Sequence, residues 1–170
     1  MKNKIHILII SFLAITNLFS QNPPTFQWVK TINSTSSTND SGVNGVATDA
    51  SGNVVTTGWF KGTVPFGPSY TLTSTGNNDF FIAKYNSGGT LLWAQKFGSA
   101  ASEIAYEIKV DNNSNIYVCG RDAFTSGTLD FDPGPGVYNL TSAGDRDIFV
   151  SKLDASGNFI WAINMGGSTL

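Results

Sequence analysis

The chain has 170 residues, a formal net charge of -2 and only 13% charged residues, about half of the roughly 25% that is average for globular proteins. It has no run of lysine or arginine, and this argues against a nucleic-acid partner, because neutralising phosphates requires a basic patch. Its 18 glycines and many Ser, Thr and Asn residues favour a β-rich protein with many turns.

Residues 1–20 predict a secretory signal peptide. Lys2 and Lys4 precede a short apolar run over 5–19, and Ser20 supplies a small residue at the cleavage position. The run is shorter than the roughly 20 apolar residues that a membrane-spanning helix needs. We therefore expect export to the cell surface or the extracellular space, and no membrane association once the signal is removed.

Residues 21–42 are predicted to be a polar lead-in that contains one strand, over 26–32. This segment has the same pattern as two later segments, residues 91–97 and 159–165. Each of the later segments is predicted to be the last strand of a repeated unit. The chain thus opens with a lone copy of that last strand.

Residues 43–98 predict a first unit of four strands in two hairpins. The first hairpin joins strands over 43–49 and 53–60 through a turn in which Gly52 takes a positive φ. The strands are rich in β-branched residues, as strands of buried sheets are. The second hairpin covers residues 79–94.

Residues 99–167 repeat this pattern as a second unit, with strands over 105–111 and 116–120 and a hairpin over 147–162. Residues 168–170 are expected to begin a further unit. Self-similarity at such a period indicates an array of supersecondary units.

The connections between the two hairpins, residues 61–78 and 121–146, carry the length differences between the units. Equivalent residues lie 62 positions apart before the connection, as Asp49 and Asp111 do, and 68 apart after it. Insertions gather where the backbone is exposed, and binding residues tend to lie there too. We expect these connections to present the binding surface.

Four antiparallel strands per unit, with no helical pattern, predict an all-β protein built from β-propeller blades. The predicted fold is two four-stranded antiparallel blades plus one N-terminal closing strand, an incomplete propeller. Because two units and one strand cannot close a ring, and unpaired edges invite pairing, we expect an N-terminal fragment of a longer protein whose remaining blades complete it. The alternative is a two-unit protein that closes by oligomerising.

The repeated motifs resemble the SBBP-type β-propeller repeat of secreted bacterial proteins over about residues 26–167. They are Asp-x-x-Gly-Asn at the first turn, Gly-Thr and Leu-Thr-Ser in the connection, Asp-x-Phe at the third strand and a late Trp-Ala. The second unit departs at its first turn, where Asn115 follows Ser114 and not a glycine. The resemblance implies a ring of several blades, no known catalytic residues, and export by type IX secretion as in larger proteins of this kind.

Asp130 and Asp132, followed by Pro133 and Gly134, form the most distinctive segment. With Asp145 as a further ligand, they are candidates for a Ca²⁺ site, because Ca²⁺ takes oxygen ligands. The interpretation that we favour is a rigid turn in which the carboxylates accept hydrogen bonds from backbone amides, since the first unit has no acids at this place. No other cofactor is expected.

Glu103 and Glu107 are the candidates for acid–base chemistry on a glycosidic bond, since the innermost strand of a blade lines the propeller channel. The first unit has no acid at either place. Cys119, the single cysteine, is expected to be a small buried apolar residue, because without the signal peptide the chain has no histidine to act as its base. We therefore expect no catalytic residue in this chain.

Three tryptophans at matching positions, Trp28, Trp93 and Trp161, are expected to pack between blades. Trp59 occurs once, beside the first connection, and is the better candidate for stacking on a ligand. The other recurrent residues are expected to be structural: Asp79, Asp147, Gly58 and Gly120. The turn acids Asp49, Asp111 and Asp154 are expected to make Asx-type hydrogen bonds.

The predicted function is that of a secreted, non-catalytic scaffold or binding module for an extracellular protein or polysaccharide. The alternative is part of a propeller hydrolase or lyase acting on polysaccharide, with active-site residues in further blades. Both interpretations rest on the fold more than on the chemistry of a site.

Overall fold

The computed structural model describes residues 26–32, 40–122, 127–144 and 146–168, with the backbone alone at Asp122. These residues form 12 β-strands and no helix. The strands are β1 (Ser41–Thr48), β2 (Val54–Phe60), β3 (Thr63–Gly67), β4 (Tyr70–Thr73), β5 (Asp79–Tyr85), β6 (Leu91–Phe97), β7 (Glu103–Val110), β8 (Ile116–Asp122), β9 (Thr128–Asp130), β10 (Asn139–Thr141), β11 (Ile148–Leu153) and β12 (Phe159–Met165).

The predicted signal peptide, residues 1–20, lies outside the described residues, as do Asp145 and residues 169–170. In the part of the chain that the structure describes, no helix is long and apolar enough to cross a membrane.

Eight strands form two four-stranded antiparallel sheets, one in each unit. The order is β1-β2-β5-β6 in the first sheet and β12-β11-β8-β7 in the second. Each sheet is therefore a meander in which successive hairpins lie side by side, and neither sheet closes on itself. This confirms the predicted all-β fold with two four-stranded antiparallel blades of an incomplete propeller.

Each long connection contains a two-stranded hairpin that sequence reasoning missed. β3 pairs with β4 in the first unit, and β9 pairs with β10 in the second. Both hairpins are anchored by two fully buried apolar residues, Val64 and Phe66 in the first and Leu129 and Phe131 in the second. Two apolar residues separated by one position are the only sequence signal of such a short strand, and that is less than a period-2 assignment needs.

Residues 26–32, predicted to be a closing strand, pair with no strand among the described residues. Strand assignment requires backbone pairing with a neighbour, whereas side chains hold this segment on the first sheet. Trp28 Nε1 donates to the carbonyl of Ser87 at 2.9 Å, and Ser41 Oγ donates to the carbonyl of Ile32 at 2.7 Å. The Trp28 ring also lies 6.4 Å from the ring of Tyr85.

The main apolar core lies between the two sheets. The ring of Phe80 stacks on Phe97 of its own sheet at 4.6 Å and on Phe149 of the other sheet at 4.9 Å. We call the side of the first sheet that enters this core its trailing face (Val55, Phe80, Ile82 and Phe97). The side of the second sheet that packs against it is the leading face of that sheet (Ala105, Ile108, Ile116 and Phe149). The opposite side of the first sheet is likewise called its leading face.

The leading face of the first sheet carries a second apolar cluster. Phe60, Phe81 and Tyr85 of the sheet are buried there together with Phe66 of the β3–β4 hairpin. Phe66 lies edge-on to Phe81, with 4.8 Å between the ring centroids. The inserted hairpin thus covers the same face of the sheet in both units, because Leu129 and Phe131 join the core on the leading face of the second sheet.

The tight turns inside the hairpins share one hydrogen-bond pattern. Asp49 Oδ1 accepts from the amides of Ser51 and Asn53 at 2.9 Å each, and Asn53 Nδ2 donates to Asp49 Oδ2 at 2.8 Å. Asp111 and Asp154 make the same three contacts in their own turns. The Asx-type role predicted for these acids is confirmed.

The first turn of the second unit holds a non-glycine residue in the left-handed region. Ser114 has a φ of 62°, where the first unit has Gly52 at 76°. An L-residue in this conformation costs about 1 kcal/mol. We expect Ser114→Gly to raise the free energy of unfolding by about 1 kcal/mol, measured by denaturant titration.

Ser51→Gly is the control for this change. It introduces a glycine in the equivalent turn at a residue whose φ is not positive, so it relieves no strain. We expect it to lower stability by up to about 1 kcal/mol through the added flexibility of the unfolded chain. Two changes of the same sign would contradict backbone strain at Ser114.

Candidate binding site between the two units

A cavity of about 250 Å³ opens where the two units meet. Its walls come from β6 of the first sheet, the tip of the β9–β10 hairpin and the β11–β12 turn. The side chains that line it include Gln95, Asp132, Pro133, Pro135, Asn158 and Phe159. One wall therefore belongs to the connection that the sequence predicted to be a binding surface.

Gln95 supplies an unpaired hydrogen-bond acceptor in this wall. It lies on β6, opposite Ile82 of β5. Its Oε1 is buried and accepts no hydrogen bond from any described residue. Gly157, at a φ of 88°, makes room for the amide, because a Cβ at that position would lie 3.1 Å from Oε1. Buried acceptors are almost always paired, so this oxygen is a place for an external donor.

Asp130 and Asp132 organise the hairpin tip. Asp130 Oδ1 accepts from the amides of Asp132 at 3.0 Å and Tyr138 at 2.8 Å, and Asp132 Oδ1 accepts from the amide of Gly134 at 2.8 Å. These are the contacts of a rigid turn. Among the described residues, which exclude Asp145, no three His, Cys, Asp or Glu side chains lie close enough together to hold a metal ion.

The first unit has its own cavity at the tip of its inserted hairpin, of about 370 Å³. It lies between the β3–β4 turn and β6, and Pro68, Tyr70, Leu91 and Trp93 line it. Tyr70 donates its hydroxyl to the carbonyl of Ala94 at 2.7 Å. This cavity has no acid, so the same architecture presents two different surfaces.

The two acids considered for catalysis have different surroundings. Glu103 is fully buried and accepts from the amide of Ser99 at 3.0 Å and from its hydroxyl at 2.7 Å. Glu107 is exposed, and the hydrogen bond from Lys109 Nζ, at 3.0 Å, lowers the pKa of its carboxyl. Glu107 lines a cavity of about 230 Å³ with Tyr117, Cys119 and Val150, and Glu103 is not part of that wall.

Two recurrent acids fasten the end of each connection to its sheet. Asp79 Oδ2 accepts from the amide of Thr75, and Asp147 Oδ2 accepts from the amide of Ala143, at 2.8 Å in both units. Both carboxylates are buried. Each carboxylate therefore accepts a hydrogen bond from a backbone amide just before the third strand of its sheet.

The recurrent glycines Gly58 and Gly120 allow a close approach of backbones. A Cβ at Gly58 would collide with the carbonyl of Gly42, and one at Gly120 with the carbonyl of Ile104. Both lie opposite the strand residue that precedes a β-bulge, in β1 and β7 respectively. The bulge and the glycine together shape the first strand of each sheet.

The predicted packing tryptophans have three different environments. Trp93 packs against the core between the sheets, Trp161 lies 6.4 Å from the ring of Tyr117, and Trp28 contacts the β5–β6 turn. Trp59 is partly buried, with its indole over Gly42. It lines neither of the two cavities at the hairpin tips.

Lys84 links the two units, a role that sequence reasoning missed. Its Nζ lies 3.0 Å from Asp49 Oδ2 and donates to the carbonyl of Ala155 in the second unit at 3.1 Å. The side chains of the ion pair are only 7% and 3% exposed. Burial alone would raise the pKa of Asp49, but the hydrogen bonds from Asn53 and Lys84 outweigh it and lower the pKa to about 2. The only signal in the sequence was the recurrence of Lys84 as Lys152.

Comparison with known proteins agrees with this architecture. No protein-family model matches the chain. In an alignment over 127 residues that covers 69% of the chain, it is 29% identical to the uncharacterized WD repeat-containing protein L264 of Acanthamoeba polyphaga mimivirus. These findings fit a β-propeller-like repeat protein. WD repeats form propeller blades of four strands, as both sheets do here.

A second relative is the regulatory protein FlaEY of Caulobacter vibrioides, 29% identical over 92 residues, which are 54% of the chain. The chain spans only 9% of the length of each of these two relatives.

Proposed function

We propose that this propeller-like chain is an exported, non-catalytic binding module of the SBBP repeat type, and that the cavity at the β9–β10 tip binds an extracellular polysaccharide. The observation that carries this proposal is Gln95 Oε1, a buried acceptor without a partner among the described residues, in the wall of that cavity. A ligand hydroxyl would supply the missing donor.

The chemistry of the walls suits a sugar. Gln95, Asp132 and Asn158 offer amide and carboxylate groups, and Phe159 and two prolines offer apolar surface. Small-molecule sites are mostly apolar with a few well-placed polar groups. A sugar ring needs both, since its edge carries hydroxyls and its faces carry C–H groups. The volume of about 250 Å³ lies just below the roughly 300 Å³ at which ligand cavities begin, which favours a single sugar unit of a longer chain.

The shared sheets and the different hairpin tips of the two units support binding and not catalysis. The sheets share one plan, while the walls at the hairpin tips differ, with Asp132 in the second unit and Tyr70 in the first. A rigid scaffold with variable tips is the usual design of a recognition surface. A retaining or inverting glycosidase needs two carboxyls across one space, whereas Glu103 is engaged with Ser99.

Gln95→Leu is expected to abolish glycan binding without loss of stability. Leucine is close in volume to glutamine and removes a buried acceptor that no described residue satisfies, so the free energy of unfolding should be unchanged or higher by about 1 kcal/mol. A glycan array on the purified chain identifies the ligand, and calorimetry on the parent and variant measures the loss.

Asn139→Leu is the control, since it also replaces a side-chain amide with leucine, at an exposed position of β10 outside the cavity wall. It should bind as the parent does. Equal loss in both variants would show that the cavity is not the site. A parent that binds no glycan on the array would reject the polysaccharide and direct the search to a protein partner.

A further inference from the structure

The cavity at the β9–β10 tip presents mainly hydrogen-bond acceptors. Gln95 Oε1 is buried and receives no hydrogen bond from a described residue. In the hairpin wall, Asp132 uses Oδ1 for the amide of Gly134, at 2.8 Å, and its Oδ2 accepts from no described residue. A Cβ at Gly136 would collide with this Oδ2, so the second oxygen lies against another residue that lines the cavity.

The amide of Asn158 adds a third acceptor, because the β11–β12 turn fixes its orientation. Asn158 Nδ2 donates to Asp154 Oδ2 at 2.8 Å, as the equivalent amides do in the other two turns. The reverse orientation would set the amide oxygen against the carboxylate, acceptor against acceptor. Asn158 Oδ1 is therefore the group that this side chain has left for a ligand, and it accepts from no described residue.

Few donors remain in the same walls. Pro133 and Pro135 have no N–H group, and the amide of Gly157 donates to the carbonyl of Asp154 within the turn. Among the described side chains that line the cavity, Gln95 Nε2 is the one donor that is not already engaged. A ligand that fits these walls must bring donors of its own.

The walls also carry a negative charge without a partner. Asp132 is partly buried and forms no ion pair with a described residue. The described residues that line the cavity include no lysine, arginine or histidine. Charges removed from water are usually paired, so a cation from outside the chain would stabilise this carboxylate.

We propose that the ligand unit held in this cavity is an amino sugar with a free ammonium group. The inference rests on the proposed function and names the class of sugar that the same site selects. An ammonium group carries a positive charge and only donors, which suits Gln95 Oε1 and Asp132 Oδ2. The ring hydroxyls can both donate and accept, which suits Asn158 Oδ1 and Gln95 Nε2. An acidic sugar would instead bring a second carboxylate next to Asp132, and juxtaposed like charges are unfavourable.

Calorimetry on the purified chain with three oligosaccharides of equal length tests the proposal. The probes are oligomers of chitosan, chitin and cellulose, which share one backbone linkage and differ in a single ring substituent: an ammonium group, an acetamide or a hydroxyl. The chitosan oligomer should bind at least roughly tenfold more tightly than the other two, because hydrogen bonds that involve a charged group are the stronger ones.

Asp132→Asn separates the charge of the cavity from its shape. Asparagine keeps an oxygen that can accept from the amide of Gly134, so the turn is retained, and circular dichroism checks the fold. The variant should lose roughly tenfold in affinity for the chitosan oligomer and should bind the two neutral oligomers as the parent does.

Asp40→Asn is the matched control. Asp40 is exposed, lies outside the cavity wall and also accepts from a backbone amide, that of Ser41, at 2.8 Å. The variant removes the same charge from the chain and should bind the chitosan oligomer as the parent does. An equal loss in both variants would assign the selectivity to the net charge of the chain and overturn the proposal.

The outcomes separate the amino sugar from the polysaccharide. Equal or weaker binding of the chitosan oligomer would reject the amino sugar and leave polysaccharide binding intact. The same holds if none of the three oligomers binds while a glycan array finds another ligand. A chain that binds no glycan at all would reject the polysaccharide and the amino sugar together.

Discussion

Replacing Phe80 with alanine is expected to lower the free energy of unfolding by about 4 kcal/mol. The ring is fully buried and contacts aromatic rings of both sheets, with 4.6 Å to Phe97, 4.9 Å to Phe149 and 6.3 Å to Phe131 between the centroids. Alanine would leave a cavity in the core that joins the units, and neighbouring side chains relax only partly into such a space. Denaturant titration at neutral pH measures the effect.

The repeat supplies the control for this experiment. Ile148 is the equivalent residue of the second sheet and is 53% exposed, so Ile148→Ala should cost less than about 1 kcal/mol. The comparison separates burial between sheets from the strand position, which the two residues share. Similar costs for the two variants would show that Phe80 is not packed between the sheets as described.

Replacing Lys84 with methionine is expected to lower the free energy of unfolding by about 3 kcal/mol. Removing one partner of a buried ion pair leaves an uncompensated charge, here the carboxylate of Asp49, and Lys84→Met also removes the hydrogen bond to Ala155 of the other unit. Methionine keeps most of the length of the side chain, so packing changes little.

Lys152→Met is the control, because Lys152 makes a cation–π contact with Tyr117 at 4.9 Å, which is worth about 1 kcal/mol. Equal losses in the two variants would argue against the buried pair.

The loss of stability at acidic pH gives a second measurement of the Lys84–Asp49 ion pair. The pKa of Asp49 is about 2 in the folded chain against an ordinary value of 3.8. Its lowered pKa contributes stability that is fully present above about pH 4 and is lost as the pH falls toward 2, since the unfolded chain then binds the proton first. Lys84→Met should weaken this dependence on pH without removing it, because Asn53 still bonds the carboxylate. A steeper dependence in the variant would contradict the assignment.

Local interactions explain how much of the fold the sequence predicted. The turn acids bond to residues no more than four positions away, as Asp49 does with Asn53, so their role depends only on neighbours in the chain. The eight sheet strands were likewise visible from β-branched and apolar residues between turns. The Asp130–Asp132 turn, whose amide partners all lie within eight residues, belongs to the same class.

The sequence predicted only one of the two main walls of the candidate site. The β9–β10 tip stood out because of its length and its Asp-Pro-Gly composition, whereas Gln95 gave no signal at all. Gln95 and Asp132 meet only because the two sheets stack face to face. Trp59 was favoured for stacking because it occurs once, but occurrence does not say which cavity a ring will line.

The sequence alone determined the strands, the turns and the repetition of a four-stranded unit, because these arise from side chains that are close along the chain. Only the tertiary structure decided which copy of a repeated position is covered. Phe80 and Ile148 have the same place in their sheets, yet one is buried and the other exposed, since burial depends on what stacks against each face. The same reason explains why residues 26–32 were predicted as a strand but are held by Trp28 and Ser41: strand formation needs a neighbour with which to pair.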